Sequence, residues 1–133
     1  MIFVDTSFWL ALSLRRDRRV DEARELFAAH ESERLITSNH VRGETWTHLR
    51  RRGGHRDAVF FLDRLDHAAR LRVEFVTSEQ ESEALRWLRR HDEREYSFVD
   101  ATSFALMRSL RIREAFAFDG DFTAAGFVEL RPA

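Results

Sequence analysis

Short apolar runs alternate with amphipathic segments along this chain, which indicates strands alternating with helices. Runs rich in β-branched or aromatic residues predict strands at 2–4, 34–37, 71–76, 114–118 and 127–130. Apolar residues at helical spacing predict helices that begin near 8 and that span about 20–30, 39–52, 55–70, 78–90 and 98–111. Such alternation forms parallel βαβ units, so the predicted fold class is α/β, a sandwich of helices around a mostly parallel sheet.

Polar residues at the predicted boundaries support this division of the chain. Thr6 and Ser7 are suitable N-cap residues for the first helix, and Ser97 is suitable for the last. Gly53-Gly54 is the clearest break and ends the helix that precedes it. On the helix predicted at 78–90, the spacing places Leu85 on the inward face.

The composition is typical of one globular domain, and we predict a single domain over 1–133. The chain is 44% hydrophobic and 34% charged, which allows a sizeable core and a polar surface. There is no Cys, which excludes disulfides and thiolate metal sites. No apolar run reaches the roughly 20 residues of a membrane-spanning helix, and Asp5 interrupts the apolar start. We therefore expect a cytoplasmic protein without membrane contact.

The overall charge gives no signature of nucleic-acid binding, because the formal net charge is −1. All 22 basic residues are Arg, and Arg can bind phosphate through two parallel hydrogen bonds. We favour compositional bias over RNA binding as the cause. The absence of Lys excludes a P-loop and a Lys nucleophile, and it argues against a phospho-receiver domain. Two Arg-rich segments, 15–19 and 50–52, fit either a phosphate groove or ordinary solvated helix ends.

Four carboxylates lie on or beside positions that the apolar pattern marks as inward. Asp5 and Asp119 each follow an apolar strand. Asp100 is in register with the apolar face of the last helix, and Glu44 borders the apolar stripe of the helix after the second strand. Open α/β sheets bind ligands beyond the carboxyl ends of their strands, which is where the first strand delivers Asp5.

Each acid alone has an ordinary structural explanation. Asp5 and Asp119 can cap the following turn, Asp100 fits a capping box with Ser97, and Glu44 can reach out to water. Together they favour a cation site, because several buried like charges are unfavourable unless something neutralises them. Carboxylate oxygens are the ligands that Mg²⁺ and Mn²⁺ select.

The His and Trp residues add no clear site. His40 and His48 lie one turn on either side of Glu44, so either is a possible hydrogen-bond partner, although we interpret both first as helix-surface residues. We interpret three residues as core or interface rather than base-stacking residues: Trp9, Trp46 and Trp87.

Four stretches, taken in order, resemble the motifs of PIN-domain ribonucleases. They are Met1–Ser7, Thr37–Glu44, Ser97–Met107 and Ala117–Phe122. Each motif alone is weak, whereas all four in order are fairly specific and span nearly the whole chain. The likeness is closest to the VapC toxins of toxin–antitoxin pairs. It implies a PIN-like (Rossmann-like) three-layer sandwich with a doubly wound parallel sheet, and metal-dependent endoribonuclease activity.

The resemblance also implies roles for individual residues by their positions. The catalytic acids would be Asp5, Glu44, Asp100 and Asp119. The ligands of Mg²⁺ or Mn²⁺ would be Asp5, Asp100 and Asp119. For Glu44, ligation of a water and general-base catalysis both stay open. The supporting residues would be Thr6, Ser7 and Asp121.

One position departs from the family pattern, and two alternative functions stay open. Ala117 stands where the family often has Thr, which predicts a looser hold on Asp119. The resemblance implies an RNA substrate, a cognate VapB-type antitoxin and a homodimer. A non-catalytic PIN-like module that binds RNA or protein is one alternative. The other is a phosphatase similar to the haloacid dehalogenases, which begin with Asp-x-Asp where this chain has Ser7.

Overall fold

The computed structural model describes residues 1–133 and contains five parallel strands and seven helices. The strands are β1 (Ile2–Val4), β2 (Leu35–Ser38), β3 (Leu71–Glu74), β4 (Glu114–Phe116) and β5 (Val128–Glu129). The helices are α1 (Thr6–Ser13), α2 (Val20–Ala29), α3 (Asn39–Arg52), α4 (His55–His67), α5 (Ser78–Arg90), α6 (Phe98–Leu110) and α7 (Asp121–Ala124). The predicted α/β class is confirmed, and no helix has the length and apolar character needed to cross a membrane.

The strand order is β3-β2-β1-β4-β5. The first half of the sheet is built from β1 toward one edge and the second half from β4 toward the other edge, so the strand order reverses between the neighbours β1 and β4. The chain moves outward from β1 through β2 to β3 and then crosses back to β4 and β5. Right-handed crossovers in opposite directions place their helices on opposite faces of the sheet. The register pairs Val4 with Phe116, the last residues of the two central strands. Ligands bind beside such a reversal, and Asp5 and Asp119 follow these two strands.

Aromatic side chains hold α1, α6 and α7 against the central strands. Phe8 of α1 stacks on Phe116 of β4, with ring centroids 4.4 Å apart. Phe122 of α7 lies 6.1 Å from Phe3 of β1 and 4.9 Å from Phe104 of α6, again between centroids. All five are fully buried, and each such side chain contributes about 1.5–3 kcal/mol to folding. This packing fixes the helix ends that carry the acids.

Several details differ from the sequence prediction. Leu85 was expected to face inward but is 40% exposed, because α5 turns Ala84 and Trp87 toward the core instead. α4 ends at His67, since residues 68–70 turn into β3. The short helix α7 was not predicted. The interpretation of the Trp residues as core holds for Trp9 and Trp87, which are buried, while Trp46 is half-buried.

Candidate active site

Asp5 lies at the end of β1 and is itself the N-cap of α1. It is 2% exposed, and its Oδ2 accepts hydrogen bonds from the Ser7 amide (3.1 Å) and the Ser7 hydroxyl (2.7 Å). The prediction that Thr6 and Ser7 cap the helix was therefore wrong, since the extended backbone at Asp5 places a carboxylate there first. Ser7 Oγ also accepts from the Phe118 amide at 3.0 Å, which ties the end of β1 to the segment after β4. The buried Thr6 hydroxyl has no partner.

Asp100 lies in the first turn of α6 and forms a capping box with Ser97. Its Oδ2 accepts from the Ser97 amide at 2.9 Å, and the Asp100 amide donates to Ser97 Oγ at 2.9 Å. The capping-box explanation is thus confirmed. The box uses one carboxylate oxygen and leaves the other available in a residue that is 7% exposed.

Asp119 and Asp121 lie on the turn between β4 and the start of α7. Asp119 Oδ1 accepts from the Asp121 amide at 3.2 Å, so Asp119 also caps its turn. One ligand atom from each of Asp100, Asp119 and Asp121 lies within 4.8 Å of the others. The fold therefore brings together acids from α6 and from the end of β4, beside the acid at the end of β1.

Burial and mutual repulsion raise the pKa of these acids. Burial, followed by the charge of Asp119, raises the pKa of Asp5 to about 8, although the Ser7 hydrogen bonds oppose the shift. Burial raises the pKa of Asp100 to about 6, and the charges of Asp119 and Asp121 add to the effect. Asp119 reaches solvent, yet the protein packed around its carboxyl raises its pKa, as does the charge of Asp121. The acids of the site thus carry more negative charge than the neighbouring basic side chain, Arg94, neutralises.

This set of ligand atoms fits a hard divalent cation. Asp5 and Asp100 take part in no ion pair. Anionic oxygens at close range, without nitrogen or sulfur ligands, are typical of Mg²⁺ and Mn²⁺ sites. Binding a cation would also relieve the repulsion that raises the pKa values.

The side chain of Glu44 forms no hydrogen bond or ion pair, and it lies outside the group of acids whose ligand atoms are within 4.8 Å of one another. It is half-buried on α3, which begins at the carboxyl end of β2 next to β1. Its suggested partners lie elsewhere: His40 Nε2 is 3.9 Å from a Glu81 carboxylate oxygen, with its ring edge-on to Phe98, and His48 is exposed. The catalytic role of Glu44 stays a prediction.

Two charged residues that the sequence analysis did not single out hold the turn of Asp119 and Asp121. Arg94, in the loop between α5 and α6, donates from Nε to Asp121 Oδ1 at 2.9 Å and from Nη2 to the Asp119 carbonyl at 3.3 Å. Glu129 on β5, with a side chain 2% exposed, accepts from the Gly120 amide at 3.3 Å. Glu129 could have been found from the sequence, because it is an acid within a short apolar strand. Arg94 could not, because it is one of several charged residues in its loop.

Ala117 is fully buried, and its carbonyl accepts a hydrogen bond from Arg131 Nη1 at 2.8 Å. The looser hold on Asp119 that the missing Thr hydroxyl suggests stays a prediction. Arg94 and Glu129 are the contacts that hold the turn in this chain.

Comparison with known proteins adds independent information. The sequence model of the PIN domain matches residues 2–128. The chain is 58% identical over 132 residues to the 23S rRNA-specific endonuclease VapC20 of Mycobacterium tuberculosis, in strains H37Rv and CDC 1551, with 99% of each chain covered. The crystal structure of Mycobacterium tuberculosis VapC20, a sarcin-ricin loop cleaving toxin, matches with a TM-score of 0.94 at 57% identity. That match covers 99% of this chain and 100% of the other.

Proposed function

Since the chain belongs to the PIN-domain family and is an endoribonuclease toxin of the VapC type, we propose that it cuts 23S ribosomal RNA in the sarcin-ricin loop with a divalent cation. Identity of 58% over 99% of both chains supports the same substrate as VapC20. The convergence of three acids with raised pKa values, two after the ends of β1 and β4 and one in the first turn of α6, supports the cation. Ribosomal RNA is a cytoplasmic substrate, so we place the activity in the cytoplasm.

We propose different roles for the individual residues of the site. Asp5, Asp100 and Asp119 would hold Mg²⁺ or Mn²⁺, with Asp121 within reach of the last two. When bound, such a cation stabilises negative charge on the phosphoryl oxygens and makes water a stronger nucleophile near neutral pH. Ser7 orients the Asp5 carboxylate through two hydrogen bonds. We propose Glu44 as the residue that positions or deprotonates the attacking water. Hydrolysis would leave a 5′-phosphate and a 3′-hydroxyl.

Cleavage of 23S rRNA in intact ribosomes tests this proposal. Primer extension should map one cut to the sarcin-ricin loop, dependent on Mg²⁺ or Mn²⁺ and abolished by Asp5→Asn. Asp66→Asn is the matched control, because Asp66 is an exposed acid of α4 outside the site. A cut elsewhere in the RNA would overturn the substrate. Equal cleavage in EDTA, or a 2′,3′-cyclic phosphate product, would overturn the cation-dependent hydrolysis.

We also propose a cognate VapB-type antitoxin and a homodimer, as VapC toxins pair with such antitoxins. The excess negative charge of the site suits a basic inhibitory side chain. The protomer mass is 15.8 kDa, so light scattering should give about twice that value, and a mass of one protomer would contradict the dimer. Addition of the antitoxin should abolish cleavage by the wild-type chain.

A further inference from the structure

Two surface grooves beside the acids join into one. The inner groove is bounded by Ser7 and Asp119 of the site and is lined by Arg18, Arg19 and Arg52. The outer groove is lined by Arg15, Arg16, Arg52 and Arg56. Asp17 and Arg52 line both grooves, so the two are continuous. We call the joined feature the arginine groove.

The walls of the arginine groove are two turns that pack closely together. One wall is the segment 15–19 between α1 and α2, and the other is the turn between α3 and α4. A Cβ on Gly53 would lie 3.1 Å from Leu14 Cδ2 and 2.6 Å from Asp57 Oδ2, so Gly53 permits the close approach. The segment 15–19 is far in sequence from Arg52 and Arg56, and this contact brings them to one surface, whereas Arg50 and Arg51 line neither groove.

Most arginines of the groove are free to bind an anion. Five of them are exposed and take part in no ion pair: Arg15, Arg16, Arg18, Arg52 and Arg56. Arg19 differs, since it pairs with Glu22 at 3.2 Å. Besides Asp119, the lining acids are Asp17 and Asp57, and Asp17 Oδ1 already accepts from the Arg19 amide at 2.9 Å.

We propose that the arginine groove binds the RNA phosphates on one side of the scissile bond and leads the strand to the acids. This inference rests on the proposed function. A chain with a net charge of −1 and an acidic site needs local positive charge to hold a polyanion, and Arg forks match phosphate geometry. At the outer end, Phe60 is 64% exposed and offers a surface on which a base can stack.

The lining favours RNA over a protein partner. Of the ten residues that line the outer groove, two are hydrophobic, Leu14 and Phe60, and Leu14 is buried. A protein interface would centre on buried apolar and aromatic contacts, which this polar lining does not offer.

The test measures, by fluorescence anisotropy, the binding of a 23S rRNA fragment that contains the sarcin-ricin loop. All variants carry Asp5→Asn so that the RNA is not cut during the measurement. The groove variant carries Arg16→Gln, Arg52→Gln and Arg56→Gln. The control variant carries Arg86→Gln, Arg89→Gln and Arg90→Gln, which are exposed, unpaired residues of α5 and remove the same charge. The groove variant should bind at least about tenfold more weakly. The slope of the logarithm of its binding constant against the logarithm of salt concentration should decrease in magnitude by about 2, since each of three lost phosphate contacts contributes about 0.7.

The control variant should change the salt slope by less than about 1, because general charge loss removes no specific phosphate contact. Equal weakening in both variants, or unchanged binding by the groove variant, would overturn the inference. Unchanged binding would instead assign the groove to another partner, such as a protein.

Cleavage separates this inference from the proposed function. If the wild-type chain cuts the RNA and the groove substitutions, made without Asp5→Asn, leave its KM unchanged, the groove inference fails and the function stands. If the groove variant loses binding but the wild-type chain cuts nothing with Mn²⁺, the function fails and the groove remains an RNA site. Mn²⁺ titration of the groove variant should match that of the parent, since none of the substituted side chains pairs with an acid of the site.

Discussion

The neighbouring hydroxyls of Thr6 and Ser7 have different surroundings. Ser7 Oγ donates to Asp5 at 2.7 Å and accepts from the Phe118 amide at 3.0 Å, whereas the buried Thr6 hydroxyl has no partner. Ser7→Ala should lower the free energy of unfolding by about 1–3 kcal/mol, because it leaves a buried amide unpaired. It should also weaken Mn²⁺ binding at neutral pH, since the Ser7 bonds lower the pKa of Asp5.

Thr6→Val is the matched control for that change, and it should alter stability by less than about 1 kcal/mol because no hydrogen bond is lost. Urea unfolding and Mn²⁺ calorimetry measure the two effects. An equal loss in both variants would show that the Thr6 hydroxyl has a partner in solution and that the contrast between the two residues is wrong.

Arg94 is the only basic side chain that pairs with the acids of the site. Its guanidinium occupies Asp121 Oδ1, so we expect it to compete with a cation for that carboxylate. Solvent screens an ion pair this exposed, so Arg94→Gln should raise Mn²⁺ affinity only a few-fold. Calorimetry measures the change, with Arg90→Gln as the control of equal charge. A lower affinity would mean that Arg94 acts mainly by holding the turn.

The acids were predictable from the sequence because each breaks an apolar pattern at a definite place. Asp5 and Asp119 follow apolar strands, and Asp100 lies in register with a buried helix face. The local capping box between Asp100 and Ser97 was also predictable, but the long-range contacts around the acids were not. Arg94 reaches Asp121 across 27 positions of sequence, and no local pattern marks which loop charge does so. The position of Glu44 relative to the other acids likewise depends on how α3 packs.

Two glycines on neighbouring helices should respond to Ala substitution in opposite directions. Gly54 is the N-cap of α4 with φ +91°, where an L side chain is strained, whereas Gly43 lies within α3 with no atom near its missing Cβ. Gly54→Ala should destabilise the chain by about 1–3 kcal/mol. Gly43→Ala should stabilise it by about 0.5–1 kcal/mol, because Ala loses less backbone entropy in a helix. Urea unfolding gives both values.

Changes of the same sign in both glycine variants would contradict this assignment of backbone strain. Gly54 also joins the helix ends that carry Arg52 and Arg56. If Gly54→Ala moves these ends, binding of the 23S rRNA fragment should weaken although no charge is removed. Gly43→Ala should leave that binding unchanged.

The order of strands and helices was predictable because the period of apolar residues changes from two to about 3.6 between them. The residues at which strands and helices end were less predictable, because tertiary contacts determine them. α7 has four residues, too few for a helical pattern, and Glu129 holds its start through the Gly120 amide. The return from β3 to β4 and the meeting of the two Arg-rich segments also depend on contacts distant in sequence.

The cation-free chain should lose stability as pH rises. The pKa of Asp5 is raised from 3.8 to about 8 and that of Asp100 to about 6. Above about pH 4 the unfolded chain has released protons that the folded chain retains, so the free energy of unfolding falls with pH until about pH 8. Urea unfolding in EDTA measures this slope. Asp5→Asn removes the largest contribution, so its slope should be shallower, and an equal slope would refute the raised pKa of Asp5.

Binding of Mn²⁺ should reverse this dependence, because the cation requires ionised carboxylates. At about pH 6 the cation must displace protons from Asp5 and partly from Asp100, whereas above about pH 8 it displaces few. The rise in Tm on adding Mn²⁺ should therefore be larger near pH 8 than near pH 6, since ligand stabilisation grows with affinity. Asp5→Asn should reduce both the rise and its pH dependence, and Asp66→Asn should change neither. An equal rise at both pH values would show that the acids are already ionised without the cation, and the repulsion inferred for the site would then be wrong.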